Sequence, residues 1–171
     1  SYDVIEITYN FSRPTITKVS YGSDEYDYLT IPGLPNLGKV GDPDVPIQSV
    51  EILLPYGAEV DKSEIIPENK IELSGTYTLA PVQQPIPILP LDELKEMGYS
   101  LEPTKPNPST YSSRSIFPSK INTDVVEQVN NGYKFAVFNL YPIEYIPQQG
   151  KISYYETITI KLTLKPGAIP K

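Results

Sequence analysis

Alternation of apolar and polar residues marks several segments of the chain as β-strands. The longest runs over residues 152–164 (ISYYETITIKLTL), and it places one set of side chains on a single face: Tyr154, Glu156, Ile158, Ile160, Leu162 and Leu164. Successive side chains of a strand point to opposite faces, so this pattern predicts a strand with one face in the core. The other predicted strands are residues 1–9, 15–21, 48–54, 57–62, 70–78 and 133–141.

Proline and glycine separate these strands. The chain contains 19 prolines, and proline is excluded from helix interiors and central strands. Residues 32–46, 80–90 and 102–115 are therefore expected to be loops. One short helix is predicted at Leu91–Met97, with acidic residues in its first turn and Gly98 at its end.

These patterns predict an all-β fold, an antiparallel β-sandwich with long Pro-rich loops and at most one short helix. A chain of 171 residues suits one domain. The predicted division is a single sandwich domain over 1–165 and a linker toward a following domain over 166–171.

Composition restricts the function. The net charge is −7, which disfavours nucleic acids and anionic membranes as partners because both need a basic surface. The chain has no cysteine and no histidine. This excludes disulfides, Ser-His-Asp and Cys-His nucleophiles and the usual zinc sites within the chain. What remains is carboxylate chemistry, lysine chemistry or no catalysis; the last is favoured, and no cofactor or metal is expected.

Carboxylates and lysines are the remaining reactive groups. The clusters at residues 24–27 and 42–44 carry acidic side chains that could bind calcium, but they lack the ligand spacing of a dedicated loop, and solvated turns are expected instead. A pair of carboxylates for glycoside hydrolysis is the less favoured alternative, since the polar face of a sheet accounts for the strand glutamates Glu51, Glu72, Glu144 and Glu156.

A Pro-framed block provides the most specific signal. Gly41, Pro43 and Pro46 precede an apolar strand, which ends at Pro55 and Gly57. This block resembles one found in the N-terminal propeptides of family C25 cysteine peptidases, the gingipain family. The closing segments 133–137, 141–145 and 150–155 are also similar to that family, and the resemblance spans roughly residues 30–165.

The resemblance implies a prodomain of a secreted or cell-surface cysteine peptidase. Such a prodomain would assist folding of the peptidase domain in the same precursor and inhibit it until cleavage. The catalytic dyad would then lie beyond Lys171, which accounts for a chain without histidine or cysteine. The alternative is a secreted β-sandwich interaction or adhesion module that binds a protein or glycan.

The resemblance also implies an inhibitory contact. Propeptides of this family present a basic side chain on an exposed loop to an acidic specificity pocket. Only two arginines are available, and Arg13 lies in a turn between predicted strands. Arg114 is the candidate, because Ser113 and Ser115 would let a narrow cleft approach the backbone.

Tyr111 and Phe117 are expected to anchor the ends of this loop. Lys105 and Lys120 are alternative basic contacts nearby. A solvated arginine with no role in binding is the other interpretation of Arg114, and the sequence leaves that choice open.

Overall fold

The computed structural model describes residues 3–169, and most of this chain is β-structure. Its elements in chain order are β1 (Val4–Asn10), β2 (Thr15–Tyr21), β3 (Asp24–Thr30), β4 (Gln48–Leu53), β5 (Ala58–Glu72), α1 (Leu91–Glu96), α2 (Pro108–Tyr111), β6 (Val126–Asn130), β7 (Tyr133–Leu140), β8 (Ile143–Ile146) and β9 (Lys151–Pro166).

Strand β9 organises the sheets. It pairs with β1, β5 and β8, while β4, β7 and β6 form a three-stranded sheet and β2 and β3 form a hairpin. Every one of these pairings is antiparallel. The predicted antiparallel all-β, sandwich-like fold is therefore confirmed.

The first of two hydrophobic cores lies between the β9 sheet and the three-stranded sheet, and we call it the sandwich core. It is formed by Phe11, Val50, Ile52, Leu54, Ala136, Phe138, Leu140, Ile158, Ile160, Leu162 and Leu164. The four β9 residues are those that alternation placed on one face. Burial of such aliphatic side chains stabilises the fold by about 1.5–3 kcal/mol each.

The second core, the hairpin core, lies between the β2–β3 hairpin and the opposite end of β9. Its members are Leu29, Ile31, Val45, Leu73, Leu79, Ile143, Tyr145, Ile152 and Tyr154. Glu156 separates the two cores along β9. The alternation places its side chain on the same face as the core residues, but Glu156 is exposed. Opposite Glu156, Asn69 of β5 has a left-handed backbone with φ +55°.

Strand β5 corrects the prediction of two separate strands at 57–62 and 70–78. One strand continues through Pro67 and ends at Glu72. It lies at the edge of its sheet, where a proline can be accommodated because its missing N–H need not face a partner. Pro67 therefore interrupts the sequence pattern without ending the strand.

Residues 3–169 contain two helices, whereas the sequence predicts at most one. Helix α1 forms where it was predicted, and α2 is a second helix inside the expected loop at 102–115. The Asn107 side chain caps α2 and Pro108 occupies its first turn, a favoured combination at a helix start. Neither helix within residues 3–169 has the length or apolarity to cross a membrane.

The sequence pattern does not predict three of the strands, β3, β6 and β8. Asn131 and Gly132 join β6 to β7 with φ values of +52° and +80°, which suits a tight hairpin turn.

The proposed domain division is only partly covered by the structure. Ser1, Tyr2, Pro170 and Lys171 lie outside the described residues. Pro166 is the last residue of β9, and the Gly167 N–H donates to the Gly57 carbonyl over 2.9 Å. The linker at 166–171 stays a prediction.

Candidate functional site

The first half of the Pro-framed block supports the segment that carries Arg114. The Asn107 N–H donates to the Gly41 carbonyl over 2.8 Å. Asp42 Oδ1 accepts hydrogen bonds from Asn107 Nδ2 at 3.2 Å and from Thr110 Oγ1 at 3.0 Å. Helix α2 is thus attached to a motif more than 60 positions earlier in the chain.

Two prolines of this block have a structural role. Pro43 and Pro46 are fully buried, and Pro43 forms a bridge with Pro81. Gly41 has φ +90°, a left-handed conformation that side chains rarely adopt. These residues fix the path of the loop against which α2 packs.

Helix α2 leads to a loop whose two ends are fixed. The Tyr111 hydroxyl donates to the Leu79 carbonyl over 2.6 Å, and burial raises the pKa of Tyr111 far above its ordinary value. At the other end, Phe117 and Tyr145 exchange two backbone hydrogen bonds of 2.7 and 2.8 Å. The expected anchoring by Tyr111 and Phe117 is present, and we call residues 112–116 the Arg114 loop.

Within this loop, Arg114 projects from a braced backbone. The Gln148 N–H donates to the Ser113 carbonyl at 3.1 Å, and the Arg114 Nε–H donates to Gln148 Oε1 at 2.8 Å. The Ser115 N–H donates to Ser113 Oγ at 3.0 Å. Arg114 and Ser115 are exposed, and Ser113 is half-buried. No carboxylate within residues 3–169 forms an ion pair with Arg114.

A groove lies beside the Arg114 loop. Its volume is about 660 Å³, and Leu37, Lys39, Ser113, Ser115 and Ile116 are among its lining residues. Arg114 is not in this lining, because its guanidinium lies on the side of Gln148. Lys120 also lines the groove, while the other alternative cation, Lys105, pairs with Asp24 over 2.8 Å.

The second half of the Pro-framed block lies elsewhere. Pro55 and Gly57 form the turn between β4 and β5, next to the β6–β7 turn, and line a cavity of about 520 Å³ there. Gly57 has φ +77°. The structure therefore brings Gly41, Pro43 and Pro46 together with the Arg114 segment, but not Pro55 and Gly57.

The first acidic cluster differs from the expected solvated turn. Asp27 is only 5% exposed. Its carboxylate accepts from the Thr78 N–H at 2.8 Å and from Lys18 Nζ at 2.9 Å. Tyr26 and Leu29, which are buried on either side of Asp27, are the sequence signal that this strand enters a core.

The second acidic cluster is partly buried. Asp42 holds α2, and Asp44 Oδ1 is a buried oxygen with no hydrogen-bond partner in the described chain. Burial raises the pKa of the Asp44 carboxyl. Within residues 3–169 no group of three or more acidic side chains is placed to hold a metal ion.

Among the strand glutamates, Glu144 is engaged within the protein. It pairs with Lys70 and accepts a hydrogen bond of 2.6 Å from the Tyr155 hydroxyl. Burial and this carboxylate raise the pKa of Tyr155 to about 12. These contacts give Glu144 a structural role between β5, β8 and β9.

Sequence reasoning missed the residues that hold the Arg114 loop in place. They are Asp42, Asn107, Thr110 and Gln148. The pair Asn107-Pro108 carried a usable signal, since a capping residue followed by proline marks a helix start. Nothing in the local sequence identifies Gln148, because its contact with Arg114 spans 34 positions.

Comparison with known proteins gives one family and two structures. The model of the family Propeptide_C25 matches residues 2–170. A structure on the zymogenic latency of gingipain K from Porphyromonas gingivalis is similar with a TM-score of 0.71 and 19% identity, covering 98% of this chain and 90% of that chain.

The second structure is a complex of Porphyromonas gingivalis RgpB pro- and mature domains. Its TM-score is 0.67 at 19% identity, and the match covers 98% of this chain and 82% of that chain. At this identity the two structures show a common fold. No curated protein sequence matches the chain.

Proposed function

The chain belongs to the C25 propeptide family, and from this membership we propose that it assists folding of a C-terminal cysteine peptidase domain of the same precursor and inhibits that domain until cleavage. The chain itself is noncatalytic and contains no cysteine. The structure of RgpB pro- and mature domains is a complex, which supports a peptidase domain as the partner. A secreted or cell-surface precursor is part of the proposal.

The observation that carries the inhibitory role is the braced Arg114 loop. Its guanidinium is exposed and its Nε–H is held by Gln148 over 2.8 Å, which leaves the terminal nitrogens available. A planar guanidinium binds a carboxylate through two parallel hydrogen bonds. We propose that Arg114 enters the specificity pocket of the peptidase, with Ser113 and Ser115 passing along the cleft.

The fixed ends of the loop favour inhibition over turnover. Ordering a free loop in a cleft costs about 1–2 kcal/mol per residue, and this loop is already ordered by Tyr111, Gln148 and Tyr145. The same contacts would hold both new ends in place if the loop were cut, so that the cleft stays blocked.

Folding assistance follows from the same docking. A prodomain that binds only the native peptidase shifts the folding equilibrium toward that state. Linkage in one precursor raises the effective concentration of the prodomain. The refolding yield of the peptidase should therefore rise when the prodomain is present, and should not rise with an unrelated domain.

The test of inhibition uses both arginines of the chain. Arg114→Ala should weaken inhibition of the cognate peptidase by about 2–5 kcal/mol, the cost of removing one partner of a buried charge pair. Arg13→Ala removes the same charge from another exposed turn and should leave the inhibition constant unchanged. An Arg114→Ala protein that is folded and inhibits like the wild type would remove Arg114 from the mechanism.

A further inference from the structure

A projecting arm carries the largest group of exposed apolar side chains on adjacent residues. The arm comprises residues 85–103 and contains α1. Its exposed side chains are Ile86, Ile88, Leu89, Leu91, Met97 and Leu101. Ile88 has an exposed fraction of 104%, so it contacts almost nothing. Exposed apolar patches on a soluble protein mark interaction sites when they are contiguous.

The arm joins the body at a narrow neck. The Gln83 side-chain amide pairs with both backbone groups of Thr104, accepting from its N–H at 2.9 Å and donating to its carbonyl at 3.2 Å. The Gln84 N–H donates to Thr104 Oγ1 at 2.9 Å. Among the described residues, no hydrogen bond or ion pair joins 85–103 to the body beyond this neck.

The arm is nevertheless ordered. Helix α1 ends with the Gly98 N–H on the Lys95 carbonyl and the Tyr99 N–H on the Leu94 carbonyl, the two bonds of a Schellman motif. Leu94, in the middle of α1, is only 5% exposed. The apolar side chains are thus held outward before any partner binds, which lowers the entropic cost of binding.

The net charge of the arm distinguishes among the partners that could bind it. The arm has four acidic side chains, Asp92, Glu93, Glu96 and Glu102, against one basic side chain, Lys95, which gives a net charge of −3. Two arms of this charge repel one another, and an anionic membrane repels them as well. The complementary surface is apolar with basic side chains at its margin.

Position relates the arm to the Arg114 loop. The arm returns to the body at Thr104, and three residues later Asn107 caps α2, which leads into that loop. Asn107 also binds Gly41, whose N–H donates to Val82 next to the neck. The arm and the Arg114 loop therefore extend from one supporting region of the body.

We propose that the arm is a second docking element, which seats its apolar side chains in a basic-rimmed groove on the cognate peptidase domain, outside the cleft that receives Arg114. This inference rests on the proposed function. It gives the arm a share of the affinity beside the Arg114 contact and assigns blocking of the cleft to the Arg114 loop alone, so the two roles can be separated by mutation.

The test compares two double variants in binding to the peptidase domain of the same precursor, with its catalytic cysteine replaced. Ile88→Ser/Leu91→Ser removes the arm's most exposed aliphatic groups and should weaken binding about thirtyfold, as truncation of interface anchors does. The matched control is Val126→Ser/Val129→Ser on β6, where both valines are about half exposed at 50% and 55%. The control should bind within twofold of the wild type.

Inhibition of the active peptidase provides the second measurement. At saturating concentration the arm variant should still inhibit completely, whereas Arg114→Ala should bind and leave residual activity. Wild-type affinity in the arm variant, an equal loss in the control, or incomplete inhibition by the arm variant at saturation would each overturn the inference. Because Ile88 and Leu91 are exposed, thermal unfolding of the variant should match the wild type.

Further outcomes separate this inference from the proposed function and from other occupants. A wild-type chain that binds the peptidase through the arm without inhibiting it would overturn the inhibitory function and keep the arm assignment. Absence of binding would overturn both. Sedimentation that shows a dimer lost in Ile88→Ser/Leu91→Ser, or arm-dependent flotation with phosphatidylserine vesicles, would assign the arm to a second copy or a membrane instead.

Discussion

Strand β9 passes through both cores, and the contacts around its two ends differ in kind. At the sandwich core every buried side chain is apolar. At the hairpin core, polar groups are buried beside the apolar ones. Asp27 is the only buried charged side chain within residues 3–169, and the Tyr145 hydroxyl accepts from the Leu79 N–H at 3.2 Å and donates to the Tyr77 carbonyl at 3.1 Å.

The difference corresponds to the location of the candidate site. Hydrophobic burial is non-directional, so an apolar core stabilises sheets without fixing a loop to a particular place. Hydrogen bonds require defined distances and angles. The Arg114 loop and the arm both extend from the half with the buried polar contacts, where Leu79 links Tyr111 and Tyr145.

The largest effect is expected in the sandwich core. Ile160→Ala, at a fully buried position, should lower the free energy of unfolding by about 2–5 kcal/mol, because it removes buried methyl groups and leaves a cavity. The inhibition constant should stay unchanged at temperatures where the variant is folded. Urea unfolding and inhibition assays measure the two quantities.

The control for this prediction is Val4→Ala, a position 55% exposed on β1, which should change stability by less than about 0.5 kcal/mol. An inhibition constant altered by Ile160→Ala in the folded protein would contradict the separation of the two halves.

An intermediate effect is expected from the buried carboxylate of the hairpin core. Asp27→Ala should cost about 1.5–3 kcal/mol in urea unfolding, because it removes the hydrogen bond that the Thr78 N–H donates to a carboxylate that is itself buried. Unlike Ile160→Ala, this change should also weaken inhibition, since Thr78 precedes Leu79, which holds Tyr111.

Asp24→Ala is the matched control from the same acidic cluster. Its ion pair with Lys105 is exposed, and such pairs contribute about 0–1 kcal/mol. Equal losses in Asp24→Ala and Asp27→Ala would show that burial does not distinguish them.

The smallest effect concerns Asp44. Burial raises the pKa of its carboxyl in the native state. A raised native pKa contributes stability below the unfolded value of about 3.9, and this contribution is lost as pH rises through the native pKa. Asp44→Asn should therefore slightly raise the thermal midpoint at pH 7 and leave it unchanged below pH ~3.5. A larger gain in acid than at neutral pH would have the wrong sign.

The sequence predicts the two halves unequally well. Alternation locates β4, β7 and β9, in which buried side chains of the sandwich core alternate with more exposed ones. It also locates β2 of the hairpin, although no side chain of β2 is fully buried. The same rule predicted an inward Glu156, which is exposed at the boundary between the cores. Regular sandwich strands are therefore predictable from local pattern.

The hairpin core is less predictable because distant contacts determine it. Asp27 is buried through partners at positions 18 and 78, and α2 is held by Asp42. Neither contact changes the local pattern of apolar residues. Arg114 could be selected from the sequence through the family resemblance, whereas its brace, Gln148, depends on the fold.

The neck formed by Gln83 and Thr104 has a consequence for how this domain diversifies. Hydrogen bonds between Gln83 and Thr104 close a loop of the 20 residues that lie between them. Doubling the length of such a loop costs only about 0.6 kcal/mol in closure entropy. The arm can therefore be lengthened, shortened or exchanged between homologues with little penalty to the body, so the peptidase contact that we propose for it can evolve as an independent module.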